Sequence, residues 1–124
     1  MSIMTLIIAI IAVESNGDDK AIGDDGRAYG ALQIHAGYVQ DASEYADESW
    51  THEDAFDRET AIDIFLAYMS RYANERRLGR PVTAEDVARI HNGGPNGHKK
   101  ASTLKYWNKV KAELISREAI ASLN

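Results

Sequence analysis

The chain has 124 residues, of which 44% are hydrophobic and 2 are prolines. That length is enough to bury a core unaided, and we predict a single domain over residues 1–124. A formal net charge of -5 argues against nucleic acid as a partner, because binding to a phosphate backbone depends on an excess of basic side chains. The sequence contains no cysteine, which excludes disulfides, thiolate metal sites and a cysteine nucleophile.

The first residues, MSIMTLIIAIIAV, are almost entirely apolar. The run is too short to cross a bilayer, so we predict no membrane insertion. It also lacks the basic residues and the obvious small-residue cleavage site of a signal peptide. We predict a buried first helix, with a targeting segment as the alternative, and the sequence leaves the localisation of the protein open.

The next segment, SNGDDKAIGDDGRAYG, is rich in Gly, Asn and Asp. These residues favour turns because they tolerate positive φ or hydrogen-bond their own backbone, so we predict a loop. The stretch ALQI that follows fits either a brief strand or a turn. GYVQDASEYAD then has enough helix-compatible residues for two or three helical turns.

A long amphipathic helix is predicted after residue 50. Thr51 and Asp54 have the spacing of a capping box, and apolar residues then recur at intervals of three and four. These residues are Ile62, Phe65, Leu66, Met69 and Tyr72. We expect this helix to end near Gly79 and Pro81.

Two further helices complete the pattern. Thr83 and Asp86 repeat the capping spacing before AEDVARIH, and the glycines and proline of NGGPNG should end that helix. A last helix would carry on one face Leu104, Trp107, Val110 and Leu114. Because strands are scarce, we predict a mainly α fold with at most a very small β element.

Several familiar active-site motifs are absent from the sequence. His52 lacks the second histidine of a zinc-protease helix, and there is neither a Gly-rich phosphate loop nor a G-x-S-x-G elbow. The aspartate-rich loop has Lys20, Ala21 and Ile22 where a calcium loop would need oxygen ligands. We therefore predict neither a metal nor a cofactor.

Glu14 stands out because it follows directly on the apolar run. Poor solvation and the negative end of a helix dipole both disfavour its ionised form, which suits a general acid. Asp24 or Asp25, on a glycine-flanked loop open to water, should stay ionised. Two carboxylates in contrasting environments are the equipment of glycoside hydrolysis. The competing interpretation is that Glu14 only caps the helix or forms a salt bridge, for instance to Arg27 or Arg89.

A family resemblance is carried by VESNG, GDDGRAYGALQI with YVQDA, YMSRYA, and ARIHNGGPNGHKKASTLKYWNKV. In this order, over residues 10–111, the chain resembles the invertebrate-type (destabilase-like) lysozymes. The resemblance implies a lysozyme-like fold with helices around a polysaccharide cleft. It also implies a peptidoglycan hydrolase, a muramidase that cleaves the β-1,4 bond between N-acetylmuramic acid and N-acetylglucosamine, with the glycan strands of peptidoglycan as its partner.

Carried over residue by residue, the resemblance implies that Glu14 is the catalytic acid and Asp24 the second carboxylate. It further implies substrate contacts from His91, Asn92, Gly93 and Gly94, with Gln33 and Tyr106 as weaker candidates. Three of these have a purely structural alternative. Gln33 would then brace its loop, His91 would be a satisfied core histidine, and Tyr106 would only pack.

Two features depart from the animal members of the family. The lack of cysteine indicates a bacterial or phage version adapted to a place where disulfides are not used. The segment between Gly26 and Gly30 is one residue shorter than the animal pattern, which leaves Asp25 as an alternative to Asp24. A lytic transglycosylase that uses Glu14 alone, and a noncatalytic wall-binding or virion structural module, remain open as functions.

Overall fold

The computed structural model describes residues 1–123, so Asn124, the last residue of the predicted domain, lies outside the described part. The helices are α1 (Ile3–Ser15), α2 (Ala36–Ala46), α3 (Arg58–Tyr72), α4 (Glu75–Leu78), α5 (Ala84–Gly93) and α6 (Leu104–Ala121). The strands are β1 (Ile22–Gly23) and β2 (Ala28–Tyr29), and short 3-10 helices cover His52–Phe56, Gly97–Lys99 and Ala101–Thr103. The predicted mainly α fold with a very small β element is confirmed.

The predicted first helix is confirmed as α1. Ser2 caps its N-terminus through its side-chain oxygen. One side of the helix is buried, through Leu6, Ile7, Ala9, Ile10 and Ile11. Asn16, in a left-handed conformation with φ of 53°, ends the helix, so Glu14 lies in the last turn, where the chain leaves the core. Within residues 1–123, no helix combines the length and the apolar character that a membrane crossing requires.

The core connects the helices that carry the predicted site residues. α1 packs on α6, α2 packs on α3, and α5 contacts both α3 and α6. The fully buried large side chains include Ile7, Ile10, Leu32, Ile64, Phe65, Ile90 and Val110. Each such side chain contributes about 1.5 to 3 kcal/mol when it is removed from water. This packing fixes the relative positions of α1, α5 and α6.

The prediction of one long helix that begins at the capping box of Thr51 and Asp54 is wrong. The capping box exists, but it starts the 3-10 helix His52–Phe56. Asp57 then has extended backbone angles and caps α3, and Asn74 caps α4 in the same way. The side chains of Asp57 and Asn74 accept hydrogen bonds from backbone N–H groups, which gives the chain a local alternative to a continuous helix.

The segment between α1 and α2 contains the small sheet. β1 and β2 pair antiparallel with Ile22 opposite Tyr29, inside the stretch predicted as a loop. ALQI forms a turn and a single bridge between Ile34 and Tyr29. The predicted helical turns of GYVQDASEYAD form most of α2. On the predicted apolar face of the last helix, Val110 and Leu114 are buried but Leu104 is 45% exposed.

An ion pair between a buried carboxylate and a half-exposed arginine anchors the start of α5. Thr83 and Asp86 form the predicted capping box, which is confirmed. Arg80 donates to the two carboxylate oxygens of Asp86 at 2.6 and 2.7 Å. The hydrogen bonds from Arg80, helped by those from Thr83 and opposed by burial, lower the pKa of Asp86 to about 2. The same helix carries His91 at its other end.

Asp86→Asn should lower the free energy of unfolding by about 2 kcal/mol at neutral pH. A carboxyl whose pKa is lowered by folding stabilises the native state fully above its unfolded value of 3.8, and this contribution is lost as the pH falls toward about 2. Urea unfolding at pH 7 and at pH 2.5 measures this effect. The difference in unfolding free energy between wild type and Asp86→Asn should be less than half as large at pH 2.5 as at pH 7. Asp63→Asn, at an exposed position, is the control. A difference that is equal at both pH values would contradict the assignment.

Candidate active site

A cavity of about 620 Å³ lies between the last turn of α1, the β1–β2 hairpin, α2, α3 and the end of α5. It is lined by Glu14, Asp24, Ala28, Gln33, His35, Gly37, Tyr38, Asp41, Tyr68, His91, Asn92 and Gly94. Six of the eight predicted site residues are in this set, and Gly93 and Tyr106 are not. The structure therefore brings both predicted carboxylates, Glu14 and Asp24, to one cavity.

Two side chains from other helices hold Glu14. The Tyr106 hydroxyl of α6 donates a hydrogen bond to Glu14 Oε2 at 3.0 Å. His91 Nε2 of α5 lies 3.2 Å from the same oxygen. The Glu14 side chain is only 18% exposed. No hydrogen bond within residues 1–123 reaches Glu14 Oε1, so this oxygen is the one available to a ligand in the cavity.

Neither Arg27 nor Arg89, the two example partners for a salt bridge of Glu14, pairs with it. Arg27 pairs instead with Asp24 on the hairpin. Arg89 donates to the carboxylate of Glu85 at 2.7 Å, and its other nitrogens bond to oxygens of the segment that follows α5. Both cations are therefore used elsewhere, and the described contacts of Glu14 are with a hydroxyl and an imidazole.

His91 is held at both ring nitrogens and is 2% exposed. Its Nε2 lies 2.9 Å from the carbonyl oxygen of Leu32 as well as close to Glu14. A carbonyl oxygen only accepts hydrogen bonds, so Nε2 carries a hydrogen, and Nδ1 of the neutral ring is then an acceptor. The Tyr38 hydroxyl, 2.9 Å from Nδ1, is the matching donor. His91 is thus the satisfied core histidine of the structural alternative, and it also contacts the candidate acid.

The tyrosines around Glu14 remain protonated. Burial raises the pKa of Tyr106 well above its usual range, and the charge of Glu14 and the hydrogen bond to it add to this effect. Burial also raises the pKa of Tyr38, with smaller contributions from Tyr68 and Glu14. For Tyr68 burial is again the main cause, and the pKa is raised to about 12. The hydroxyls of Tyr38 and Tyr106 therefore keep their hydrogens, and can donate hydrogen bonds, across the neutral pH range.

Asp24 and Asp25 occupy the turn between β1 and β2, with left-handed φ angles of 49° and 56°. Asp24 Oδ1 accepts a hydrogen bond from Arg27 Nη2 at 2.9 Å, and its Oδ2 lies 3.1 Å from His35 Nε2. The Asp24 side chain is 46% exposed and lines the cavity. Asp25 is exposed and is not among the lining residues. Of the two aspartates, the geometry therefore favours Asp24 as the candidate second carboxylate.

Gln33 braces the hairpin. Its side-chain amide donates to the carbonyl oxygens of Ala21 and Gly30 at 3.2 and 3.0 Å. Its Oε1 lies so close to Gly23 that a Cβ there would overlap it. Gln33 also lines the cavity, so the bracing role is observed and a contact with substrate stays a prediction.

The HNGGP motif is divided between α5 and the loop after it. α5 continues to Gly93, two residues past the predicted end at His91, and Gly94 with a left-handed φ of 86° ends it. Asn92 and Gly94 line the cavity. A Cβ at Gly93 would overlap the methyl group of Thr103, so glycine at this position serves helix packing.

Four polar side chains line the cavity but are not among the predicted site residues: His35, Tyr38, Asp41 and Tyr68. A usable signal existed for Tyr38 and Asp41, which are three residues apart and therefore share one face of a predicted helix. Tyr68 joins them because its ring stacks on Tyr38, with centroids 3.7 Å apart. Nothing local marks His35, since its contact with Asp24 depends on how the hairpin folds back.

The cavity can divide acid and base roles between its two carboxylates. Glu14 is largely shielded beside the Tyr106 hydroxyl and His91, whereas Asp24 is half exposed beside the cation of Arg27. Two carboxyl groups in contrasting surroundings are the arrangement on which paired acid and base roles are built. In the part of the chain that the structure describes, no three His, Asp or Glu side chains are grouped to hold a metal ion.

Solved structures identify the fold. The chain is similar to inhibitor-bound lysozyme from Meretrix lusoria, with a TM-score of 0.73, 34% identity and coverage of 87% of each chain. It is also similar to the lysozyme of Tapes japonica, with a TM-score of 0.71, 29% identity and coverage of 86% of this chain and 85% of the other. The protein therefore has the fold of these lysozymes.

Sequence comparison identifies the family. The Destabilase family profile matches residues 5–113. The lysozyme of Magallana gigas is 37% identical over 90 residues, which cover 68% of this chain and 64% of that lysozyme. The chain belongs to the Destabilase family, as its resemblance to the invertebrate-type lysozymes predicts. It spans less than two thirds of the length of the Magallana gigas relative.

Proposed function

We propose that the protein is a peptidoglycan hydrolase, a muramidase that cleaves the β-1,4 bond between N-acetylmuramic acid and N-acetylglucosamine. The observation that carries this proposal is the presence of Glu14 and Asp24 on one cavity, the first shielded and the second half exposed. Membership of the Destabilase family and similarity to proteins named lysozymes support it.

Glu14 acts as the general acid. Its Oε2 is occupied by Tyr106 and His91, so Oε1 is the oxygen that gives a proton to the bridging oxygen of the substrate. Proton transfer from a positioned side chain accelerates bond cleavage by a factor of ~10² to 10⁴. The protein's contribution at this step is a carboxyl group whose orientation is fixed before the sugar arrives.

Asp24 acts as the second carboxylate, either as the nucleophile or as the charge partner of the oxocarbenium-like centre. Arg27 and His35 each contact one of its oxygens, which orients the group toward the cavity rim. A separation of ~5 to 5.5 Å between the two carboxyl groups in the working complex gives retention of configuration at the anomeric carbon.

The end of α5 and the hairpin supply contacts to the sugars. The side-chain amide of Asn92 and the backbone of Gly94 are the donors proposed for acetamide and hydroxyl groups, with Gln33 across the cavity. Three other predicted substrate contacts instead have close neighbours on the protein, namely His91, Gly93 and Tyr106.

We infer that one lysozyme-like domain covers residues 1–124 and takes the glycan strands of peptidoglycan as its partner. The support for a single domain is that buried apolar residues from α1, α2, α3, α5 and α6 belong to one cluster. The support for a polymeric glycan is a cavity of about 620 Å³ lined by polar side chains from several elements.

A lytic transglycosylase is the second candidate, and one observation favours it. Asp24 is half exposed and already engaged by Arg27 and His35, so Glu14 alone would serve as acid and then as base. In that reaction the 6-hydroxyl of the muramic acid residue takes the place of water, and the product carries an anhydro end.

Digestion of purified sacculi with mass spectrometry of the released muropeptides tests these functions. Hydrolysis leaves reducing muramic acid ends, and transglycosylation leaves anhydro ends. A noncatalytic wall-binding or virion module releases nothing while it still sediments with the sacculi. Only the first outcome supports the proposed muramidase.

A further inference from the structure

Two polar side chains from two different helices lie beside one oxygen of Glu14: the Tyr106 hydroxyl donates a hydrogen bond to Oε2, and His91 Nε2 lies 3.2 Å from it. We propose that Tyr106 and His91 are positioning residues: His91 packs beside Oε2 and fixes its place, Oε1 is left to carry the transferable proton, and the hydrogen bond from Tyr106 stabilises the carboxylate that forms when the proton leaves. This inference rests on the proposed role of Glu14 as the general acid. It assigns to Tyr106 and His91 an effect on the acid in place of a contact with substrate.

Tyr106 serves Glu14 and not the sugar. Its hydroxyl donates to Oε2 at 3.0 Å, and the residue is not among those that line the cavity. Burial keeps the pKa of Tyr106 far above the working range, so the phenol always has its hydrogen to donate. The hydrogen bond is therefore present when Glu14 is protonated and when it is ionised.

His91 is a rigid neighbour of the same oxygen. The carbonyl oxygen of Leu32, 2.9 Å away, fixes the hydrogen on Nε2, and the same nitrogen lies 3.2 Å from Glu14 Oε2. The Tyr38 hydroxyl occupies the other ring nitrogen at 2.9 Å. With both nitrogens engaged and the side chain buried, the ring has no freedom to turn away from Glu14.

The chemistry of the acid step explains why donors on Oε2 matter. When Glu14 acts, the Oε1–H bond breaks and a new O–H bond forms on the bridging oxygen of the glycan. The electron pair stays on Glu14, which becomes a carboxylate with its charge shared by both oxygens. Hydrogen bonds to Oε2 strengthen as that charge develops, so they stabilise the transition state more than the ground state.

Other titratable or charged groups also surround Glu14, and they stay in place when Tyr106 is changed. The hairpin contributes Asp24 with its partners Arg27 and His35. The facing helices contribute Tyr38 and Asp41 from α2, Tyr68 from α3 and His91 from α5. Because these groups are common to wild type and variant, a change in the pH profile of a Tyr106 variant reports the lost hydroxyl.

Tyr106→Phe is the test, since it keeps the ring and removes one donor. We expect kcat on solubilised peptidoglycan to fall about three- to tenfold with KM little changed. We also expect the basic limb of the kcat profile to move up by about one pH unit, because a less stabilised carboxylate holds its proton to higher pH. Tyr29→Phe is the matched control, since within residues 1–123 the Tyr29 hydroxyl makes no hydrogen bond and its ring stacks on His52.

A basic limb that does not move in Tyr106→Phe, whatever its kcat, overturns the inference and leaves Tyr106 a packing residue. Glu14→Gln, assayed in parallel, separates this failure from failure of the proposed function. Full turnover in Glu14→Gln would show that Glu14 is not the acid, and the proposed function would fail. An inactive Glu14→Gln together with an unchanged pH profile of Tyr106→Phe would reject only the positioning role of Tyr106.

If Tyr106→Phe does not fold, Tyr38→Phe replaces it, because it removes the donor to His91 Nδ1. A smaller upward shift of the same limb supports the inference, and no shift overturns it.

Discussion

Glu14→Gln should keep the wild-type melting temperature and lose turnover by a factor of about 10² to 10⁴. The amide has the shape of the carboxyl and still accepts the hydrogen bond from Tyr106, but it has no acidic proton to give. Stability should hold because, within residues 1–123, no lysine or arginine pairs with Glu14, so no such cation loses its partner. The measurement is the initial rate of muropeptide release together with a thermal melt.

Glu44→Gln is the matched control for this substitution. Glu44 is exposed on α2, lies outside the cavity that holds Glu14, and makes one loose contact of 3.6 Å with Arg71. Its variant should retain wild-type turnover. Wild-type turnover in Glu14→Gln would exclude Glu14 as the acid, and a large fall in its melting temperature would indicate a structural role.

Asp24→Asn should raise the activation free energy for kcat by several kcal/mol, and each ~1.4 kcal/mol lowers the rate tenfold. Asp25→Asn should leave turnover within a few-fold of wild type. The two aspartates are adjacent and share the left-handed conformation, but only Asp24 lines the cavity. Asparagine tolerates that conformation as aspartate does, so neither change disturbs the backbone. Each variant should lose less than about 1 kcal/mol of stability, since the ion pair of Asp24 with Arg27 is exposed.

The pair of variants also separates the alternative mechanisms. A large loss of turnover in Asp25→Asn with a small one in Asp24→Asn would make Asp25 the catalytic partner and shift the family register by one residue. If neither substitution slows cleavage while Glu14→Gln abolishes it, the single-glutamate transglycosylase replaces the muramidase.

Features of the fold that depend only on residues near one another in the sequence can be predicted from the sequence. An apolar run that stops at Glu14 becomes a buried helix with the carboxyl in its last turn. The threonine and aspartate pairs three residues apart form capping boxes where they were expected. The prediction of one long helix is wrong because the apolar periodicity continues across Asp57 and Asn74. Periodicity does not indicate whether the side chains of these two residues will hydrogen-bond the backbone and interrupt the helix.

The parts of the site that depend on distant residues do not follow from local pattern. Tyr106 meets Glu14 across 92 positions of sequence, and Tyr38 meets His91 across 53. Such contacts arise from the packing of α2, α5 and α6 around the core. The family resemblance supplied candidate positions such as His91 and Tyr106, but the contacts that hold Glu14 became visible only in three dimensions.

The left-handed turn at Asp24 and Asp25 affects stability and activity differently at its two positions. At position 24 a gain in stability would cost the proposed activity, whereas at position 25 it would not. An L-residue with a side chain in this conformation is less stable than glycine by about 1 kcal/mol. Glycine at position 25 would relieve this strain while the cavity keeps its carboxylate. Glycine at position 24 would relieve it equally and remove the group proposed to meet the sugar. Selection for heat resistance alone would therefore favour loss of the proposed second carboxylate, a stability–function trade-off confined to one residue.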